Sequence, residues 1–294
     1  MPKLIQKRGY DLYVKNFFKK MLDPSQFTNY IFVEGETLIN DIIKIGFLPK
    51  FIFHTPLYDI KNILNNVESS NEIDCFEIKS ITMKKLTQVL TPPGIGGIFY
   101  KPEYDKIIGK YTNSFPINII CNNVRDPGNM GTLIRTMAAI GAKQMIIISG
   151  CVNPWSPKVI RSAAGGHFRI PVLEINSLNA CIGKNYINPQ TTTLIIAQNI
   201  DPNSKIANNL KIITPNIDYN KLNKNHIHPS TEIALLLGNE SWGFEYINTS
   251  SIFFKSPWAK IISTYIPMER ETDSLNVTIA ASILASFIKR FYYI

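Results

Sequence analysis

Four short runs of mostly apolar residues, Ile117 to Cys121, Met145 to Ser149, Leu194 to Ala197 and Ile233 to Leu237, constrain the fold of this chain more than any other feature. A strand that is apolar without alternation is buried on both faces, which is the condition of strands in a parallel sheet covered by helices. Helical patterns lie between the runs: one from about Asn129 to Ile140 ends at Gly141, and a last one runs from about Ser274 to Phe291. The order is therefore βαβ, the signature of an α/β fold with a parallel sheet. Small residues at 280 to 282 let the last helix pack closely against a neighbour.

Residues 31 to 105 read as a separate, smaller α/β unit. A helical spacing from Glu34 to Ile45 stops at Gly46, Phe51 to Phe53 is a short strand, and a turn at Thr91 to Gly94 leads into the strand-like Gly97 to Tyr100. A chain of 294 residues exceeds the roughly 100 to 200 residues usual for one domain, so two units are expected: 1–105, a polar linker at 106–115, and 116–294. The Asn-rich stretch Asp201 to Ser230 reads as a long surface insertion.

Hydrophobic residues make up 45% of the chain and no apolar run reaches the roughly 18 needed to span a bilayer, so no membrane partner is expected. Thirty-one Lys plus Arg against 22 Asp plus Glu give a formal charge of +9, which favours polyanionic partners. Cys75, Cys121, Cys151 and Cys181 are widely spaced with no histidine at ligand spacing, so no metal is expected. His226 and His228 read as loop residues, and the N-terminus lacks the apolar core of a secretory signal.

Ligands of open α/β sheets bind beyond the carboxyl ends of the strands, which directs attention to three loops. The first, Asn123 to Arg135, opens a helix that buries Ile134, Met137 and Ala138. Arg135 falls off that stripe, beside a helix start that favours an anion. The second runs from Leu237 to Gly243; glycines at 238 and 243 permit close backbone approach, and Glu240 supplies an acceptor. The third is Ile266-Pro267-Met268 followed by Ser274-Leu275-Asn276, with Ser274 as a natural helix cap and Asn276 off the stripe of Val277, Ala280, Ala281 and Leu284. Taken singly, each loop reads as well as a capped helix or ordinary turn. Neither G-x-G-x-x-G nor a phosphate-loop pattern occurs.

Together and in this order, the three loops resemble the three motifs of the SpoU (TrmH-like) family of RNA ribose methyltransferases, over about residues 115 to 294. Glu34-Gly35-Glu36 and Thr91 to Phe99 resemble that family's L30e-like substrate-binding domain. Arg125 to Asn129, Gly150 to Val159 and Gly165 to Pro171 are most similar to mitochondrial large-subunit ribosomal RNA methyltransferases. The chain departs from the family pattern in its Asn-rich insertion and at Glu269-Arg270-Glu271, where a small-residue turn is usual.

The resemblance implies a trefoil-knotted SPOUT domain behind a small L30e-like α/β domain, a homodimer, and S-adenosylmethionine as cofactor. It implies binding of that cofactor by Gly238, Ile266, Met268 and Leu275, and a catalytic set of Asn129, Arg135, Glu240, Ser274 and Asn276 acting on a ribose 2'-hydroxyl. It also implies an RNA substrate, ribosomal RNA first, and a mitochondrial location, with the cytoplasm as the alternative. An arginine is a reluctant base, so Arg135 is expected to clamp a phosphate and stabilise the developing alkoxide rather than to take the proton. Lys143, Lys158, Arg161 and Arg169 are candidate contacts to the RNA backbone, each of which also reads as an ordinary surface charge. A transfer RNA substrate fits the motifs too, and a non-catalytic ribosome-assembly factor is the rival from another class.

Overall fold

The structure, a computed structural model, describes residues 4–7, 29–64, 73–87, 89–111, 114–198, 216–227, 231–238, 252–269 and 274–292. Two sheets organise them. The first holds β1 (Leu4–Lys7), β2 (Tyr30–Glu34), β3 (Phe51–His54), β4 (Ile73–Glu77) and β5 (Ile95–Tyr100), in the order β1-β4-β3-β5-β2. It is mixed: β1 and β3 run parallel to β4, whereas β5 is antiparallel to β2 and β3. Period-two alternation divides its residues between two small cores. Ile31, Val33, Ile52, Ile73 and Cys75 face helix α1 (Glu36–Lys44) through Ile39 and Ile42. Phe32, Phe53, Phe76 and Ile98 face helix α2 (Ser80–Thr87) through Met83. Gly46 ends α1 with φ 86°, its amide bonded back to Ile43.

The second sheet holds β6 (Phe115–Cys121), β7 (Ala142–Ile148), β8 (Val172–Ile175), β9 (Thr192–Ala197), β10 (Asn216–Asp218), β11 (Glu232–Leu237) and β12 (Lys260–Tyr265). Its order is β10-β12-β9-β11-β6-β7-β8, and every pairing is parallel. All four apolar runs are strands of this sheet, with apolar cores on both faces. One face is covered by α4 (Pro127–Ile140) and α6 (Val277–Lys289), the long helices expected from periodicity. Gly141 ends α4 in the left-handed region, φ 82°.

Two expectations need correction. The stretch 106–115 is no loop: α3 (Tyr104–Lys110) occupies most of its described part and Phe115 already belongs to β6. Its polar composition hid a helix that buries only Ile107 and is tied down by Tyr104, whose hydroxyl donates to Gln144 Oε1 at 2.9 Å. The Asn-rich insertion is not wholly on the surface. Within it, Asn216–Asp218 adds an edge strand beside β12, and Leu222 and Ile227 are buried in the main core. Leu222 and Ile227, with Ile217 and Tyr219 packed against the same core, anchor a segment that composition marks as solvated. The implied trefoil knot falls in the C-terminal unit, whose stretches 239–251 and 270–273 lie outside the described residues.

The two sheets are joined through α5 (Pro157–Ala163) and the 3-10 turn Gly166–Phe168. Phe168 packs edge-on against Phe47 at 5.1 Å and Phe99 at 5.7 Å, so the first unit's core closes on a side chain from the second. Arg161 of α5 pairs through Nε with Glu34 of β2 and donates through Nη2 to the Thr87 carbonyl at 3.0 Å.

Candidate active site

The loop after β6 is shaped by local polar contacts. Asn123 takes φ 60°, a conformation asparagine tolerates better than most residues. The Val124 amide donates to Cys151 Sγ at 3.3 Å, and that thiol donates to the Cys121 carbonyl at 3.3 Å. Asp126 then caps α4, its Oδ1 accepting from the Asn129 amide at 2.7 Å, with Pro127 at the first helical position. The helix thus starts two residues earlier than periodicity suggested, and Asp126 is its cap although Asn129, at the expected start, is also of a capping type.

Freed from capping, the Asn129 side chain turns to the last helix. Asn276 Nδ2 donates to Asn129 Oδ1 at 2.8 Å, and Thr278 Oγ1 donates to the Asn129 carbonyl at 3.2 Å. Asn276 is itself the N-cap of α6, its Oδ1 accepting from the Thr278 amide at 2.9 Å. The expected cap Ser274 lies two residues before it and is exposed. An asparagine serves both ends: one amide atom satisfies the helix start and the other reaches the first loop, which a serine hydroxyl is too short to do.

Arg135 is exposed, and its side chain makes no hydrogen bond or ion pair among the described residues. It is not beside the helix start. Eight residues into α4 it stands about 12 Å along the axis, and helical geometry puts it roughly 240° round from Asn129. Its backbone is where α4 meets the next layer. A Cβ placed on Gly166 would lie 3.1 Å from Arg135 N and Cα, and one on Gly131 would lie 2.7 Å from the Val159 carbonyl and 2.9 Å from Ala163 N. Gly131 sets how closely α4 lies on α5, and Gly166 how closely it lies on the 3-10 turn.

The other expected residues collect on the same sheet edge. Gly238 follows β11, Ile266 and Met268 follow β12, and Leu275 and Asn276 precede α6; all but Asn276 are half-buried. Since β12, β9, β11 and β6 are adjacent, their carboxyl ends open side by side. Glu240 lies outside the described residues. Between Gly238 and Ile266 the end of β9 presents Gln198, a residue that sequence reasoning passed over. It is 8% exposed, and its Oε1 has no hydrogen-bond partner among the described residues.

Of the four candidate cations, three are engaged within the protein. Lys143 pairs with Glu232, Arg161 with Glu34, and Arg169 Nη1 donates to the Gly165 carbonyl at 3.0 Å; Lys158 is exposed. Burial pushes His167 down to about 4, and its Nε2 lies 2.8 Å from the Pro154 carbonyl, consistent with a neutral imidazole that donates there. His226 Nδ1 accepts from the Asn223 amide at 3.3 Å, and His228 lies outside the described residues. Among the described residues there is no cluster of metal-binding groups, and no helix is long and apolar enough to cross a membrane.

Comparison with known proteins agrees with this architecture. A human protein named rRNA methyltransferase 3, mitochondrial, is 37% identical over 168 residues, which cover 56% of this chain and 39% of that protein. The chain thus spans about two fifths of that relative's length. The Xenopus tropicalis protein of the same name is 29% identical over 86% of this chain and 68% of its own. The 23S rRNA (guanosine(2553)-2'-O)-methyltransferase RlmP of Bacillus subtilis is 26% identical over 89% of each. Among solved structures, an AdoMet-bound rRNA methyltransferase from Sinorhizobium meliloti superposes with a TM-score of 0.69 at 20% identity over 98% of both chains, which shows a shared fold along the whole length. The model of the SpoU rRNA Methylase family matches residues 116–286, the span of the parallel sheet and its three loops, and the chain belongs to that family.

Proposed function

We propose that this protein transfers a methyl group from S-adenosylmethionine to the 2'-hydroxyl of a ribose in large-subunit ribosomal RNA. The observation that carries the proposal is the 2.8 Å hydrogen bond between Asn276 and Asn129. It ties the first and third loops together at the carboxyl edge of a parallel sheet, with Gly238 of the second loop alongside. The names of the human and Bacillus relatives support ribosomal RNA as substrate, and the vertebrate names support a mitochondrial location.

The residues at the edge fit such a cofactor. Ile266, Met268 and Leu275 offer half-buried apolar surface for a flat ring. When bound, S-adenosylmethionine supplies an electrophilic methyl group. The protein's part is orientation and electrostatics. Asn129 and Asn276, each held by a helix start, position the ribose, with Ser274 and Glu240 completing the set. Arg135 clamps a flanking phosphate through its unengaged guanidinium and stabilises negative charge on the attacking oxygen. Because Asn129 and Arg135 leave α4 from different faces, we assign the site to the interface of a homodimer with a trefoil-knotted catalytic unit, and RNA capture to the first, L30e-like unit.

Incubation of the full chain with S-adenosylmethionine and ribosomal or transfer RNA, followed by nucleoside mass spectrometry, tests the proposal. A 2'-O-methylnucleoside from ribosomal RNA is expected. Methylated bases, or methylation confined to transfer RNA, would contradict it.

A further inference from the structure

Three hydrogen bonds act on Asn129. Its amide donates to Asp126 Oδ1 at 2.7 Å, its side-chain Oδ1 accepts from Asn276 Nδ2 at 2.8 Å, and its carbonyl accepts from Thr278 Oγ1 at 3.2 Å. The first lies within the capped start of α4 and moves with that helix. The second crosses to α6 but stands in water, since Asn276 is exposed. A neutral amide pair in that position exchanges its partners for solvent at little cost, so it follows the placement of the two helices and does not enforce it. The third also crosses to α6, and its donor residue is only 4% exposed. A shielded bond is electrostatically stronger, and breaking it leaves a polar group without its partner.

Thr278 is itself fixed in the first turn of α6. Its amide donates to Asn276 Oδ1 at 2.9 Å, and its carbonyl accepts from Ser282 Oγ at 2.6 Å. The branched Cβ restricts the side chain to few rotamers, so a fixed backbone also fixes the hydroxyl. The same residue that receives the Asn276 cap therefore reaches across to the backbone of Asn129, and the shielded bond sets the distance that the exposed amide pair then spans.

We infer that Thr278 is a positioning residue for methyl transfer: through the backbone of Asn129 it sets where that side chain stands against Asn276, without touching substrate or cofactor. The inference rests on the preceding section's proposal that Asn129 and Asn276 orient the ribose. Without the hydroxyl the start of α4 is free to shift against α6, and a displacement of about 1 Å at an orienting group lowers turnover by up to about 100-fold.

Steady-state methyl transfer by the full chain, with S-adenosylmethionine varied and ribosomal RNA saturating, tests it on wild type, Thr278→Val, Thr278→Ser, Asn129→Ala and the double variant Asn129→Ala with Thr278→Val. Valine keeps the branched shape and removes the donor. Its kcat should fall at least about tenfold while KM for S-adenosylmethionine stays within about threefold, and it should melt within roughly 2 to 4 °C of wild type. Thr278→Ser keeps the hydroxyl and should hold kcat to within about threefold of wild type. Because Thr278 acts through Asn129, adding Thr278→Val to Asn129→Ala should cost less than about a further twofold. Thr87→Val is the control: Thr87 is 1% exposed and its Oγ1 donates to the Met83 carbonyl, also at 3.2 Å, in the first unit. Its kcat should stay within about twofold of wild type. Full turnover in Thr278→Val, no recovery with serine, an equal loss in the Asn129→Ala background, or a matching loss in Thr87→Val would each overturn the inference while leaving the ribose proposal intact. Full turnover in Asn129→Ala, or no methyl transfer by wild type, would overturn that proposal and the inference with it.

Discussion

Replacing Gly131 with Ala puts two opposing effects on one atom. Alanine is the better helix former by about 1 kcal/mol, so on propensity alone the change stabilises α4. The new Cβ, however, would stand 2.7 Å from the Val159 carbonyl oxygen and 2.9 Å from the Ala163 nitrogen, about 0.5 to 0.7 Å short of the 3.4 Å at which ordinary contact begins. Both are backbone atoms of α5 and its end, and neither can rotate away. The helices must part, at an over-packing cost of about 1 to 3 kcal/mol, at the upper end for contact with backbone. The net expectation is a loss of about 2 kcal/mol, a fall of roughly 4 to 8 °C in melting temperature for a chain of this size. Arg135 stands one turn further on, with its backbone against Gly166, so the same shift displaces the guanidinium and should lower methyl transfer by about 10- to 100-fold. Gly109→Ala is the control, because nothing lies within 4 Å of its Cβ position in α3. It should hold or raise the melting temperature, by up to about 1 kcal/mol of stability. Differential scanning calorimetry with a methyl-transfer assay reads both. A Gly131→Ala protein that melts at or above wild type would refute the reasoning.

The Asn276 side chain has two roles that separate by substitution. Asn276→Asp keeps the cap of α6 and should melt close to wild type, whereas Asn276→Ala should lose about 1 kcal/mol, and both should lose at least about tenfold in methyl transfer because the donor to Asn129 is gone; wild-type activity in the Asp variant would break the link. For Arg135→Lys, a point charge replaces the planar fork, so turnover should fall at least about tenfold with little change in melting, and near-normal turnover would sink the clamp. His167, pushed down to about 4 by burial, is protonated near its ordinary 6.5 in the unfolded chain. Its contribution is therefore fully present above pH 6.5 and is lost as pH falls from 6.5 towards 4, amounting to about 3 kcal/mol over that window. His167→Gln should show a shallower decline of melting temperature across that window, and an identical decline would contradict the assignment.

The parallel sheet was legible because its strands are apolar on both faces, a pattern that hardly any other environment produces. The helix that carries Asn129 was legible for its apolar face but not for its start. Asp126-Pro127 is a capping signal in its own right, and it was overlooked because Asn129 also has a side chain able to cap. At the last helix the same ambiguity ran the other way: Ser274 is as good a cap as Asn276 until the position of the first loop is known. Ion pairing defeated the reading of surface cations, since Arg161 meets Glu34, 127 residues away, and a pair across that distance leaves no local trace. Gln198 was invisible for a related reason. One polar residue after an apolar strand reads as the strand's end, and only the packing around it shows that it is buried. Glycines 131 and 166 matter through what lies opposite them, which no pattern along the chain records.

The central claim, methyl transfer to a ribose hydroxyl, is tested most directly by following labelled methyl from S-adenosylmethionine into large-subunit ribosomal RNA. The substrate is compared with one in which the target nucleotide, once mapped, carries a 2'-deoxy sugar. The account predicts label in the natural RNA, none in the deoxy substrate, and at least a tenfold loss, on the order expected for removing one positioning group, with Asn276→Ala. Label that persists in the deoxy RNA would place the methyl on a base and contradict the account.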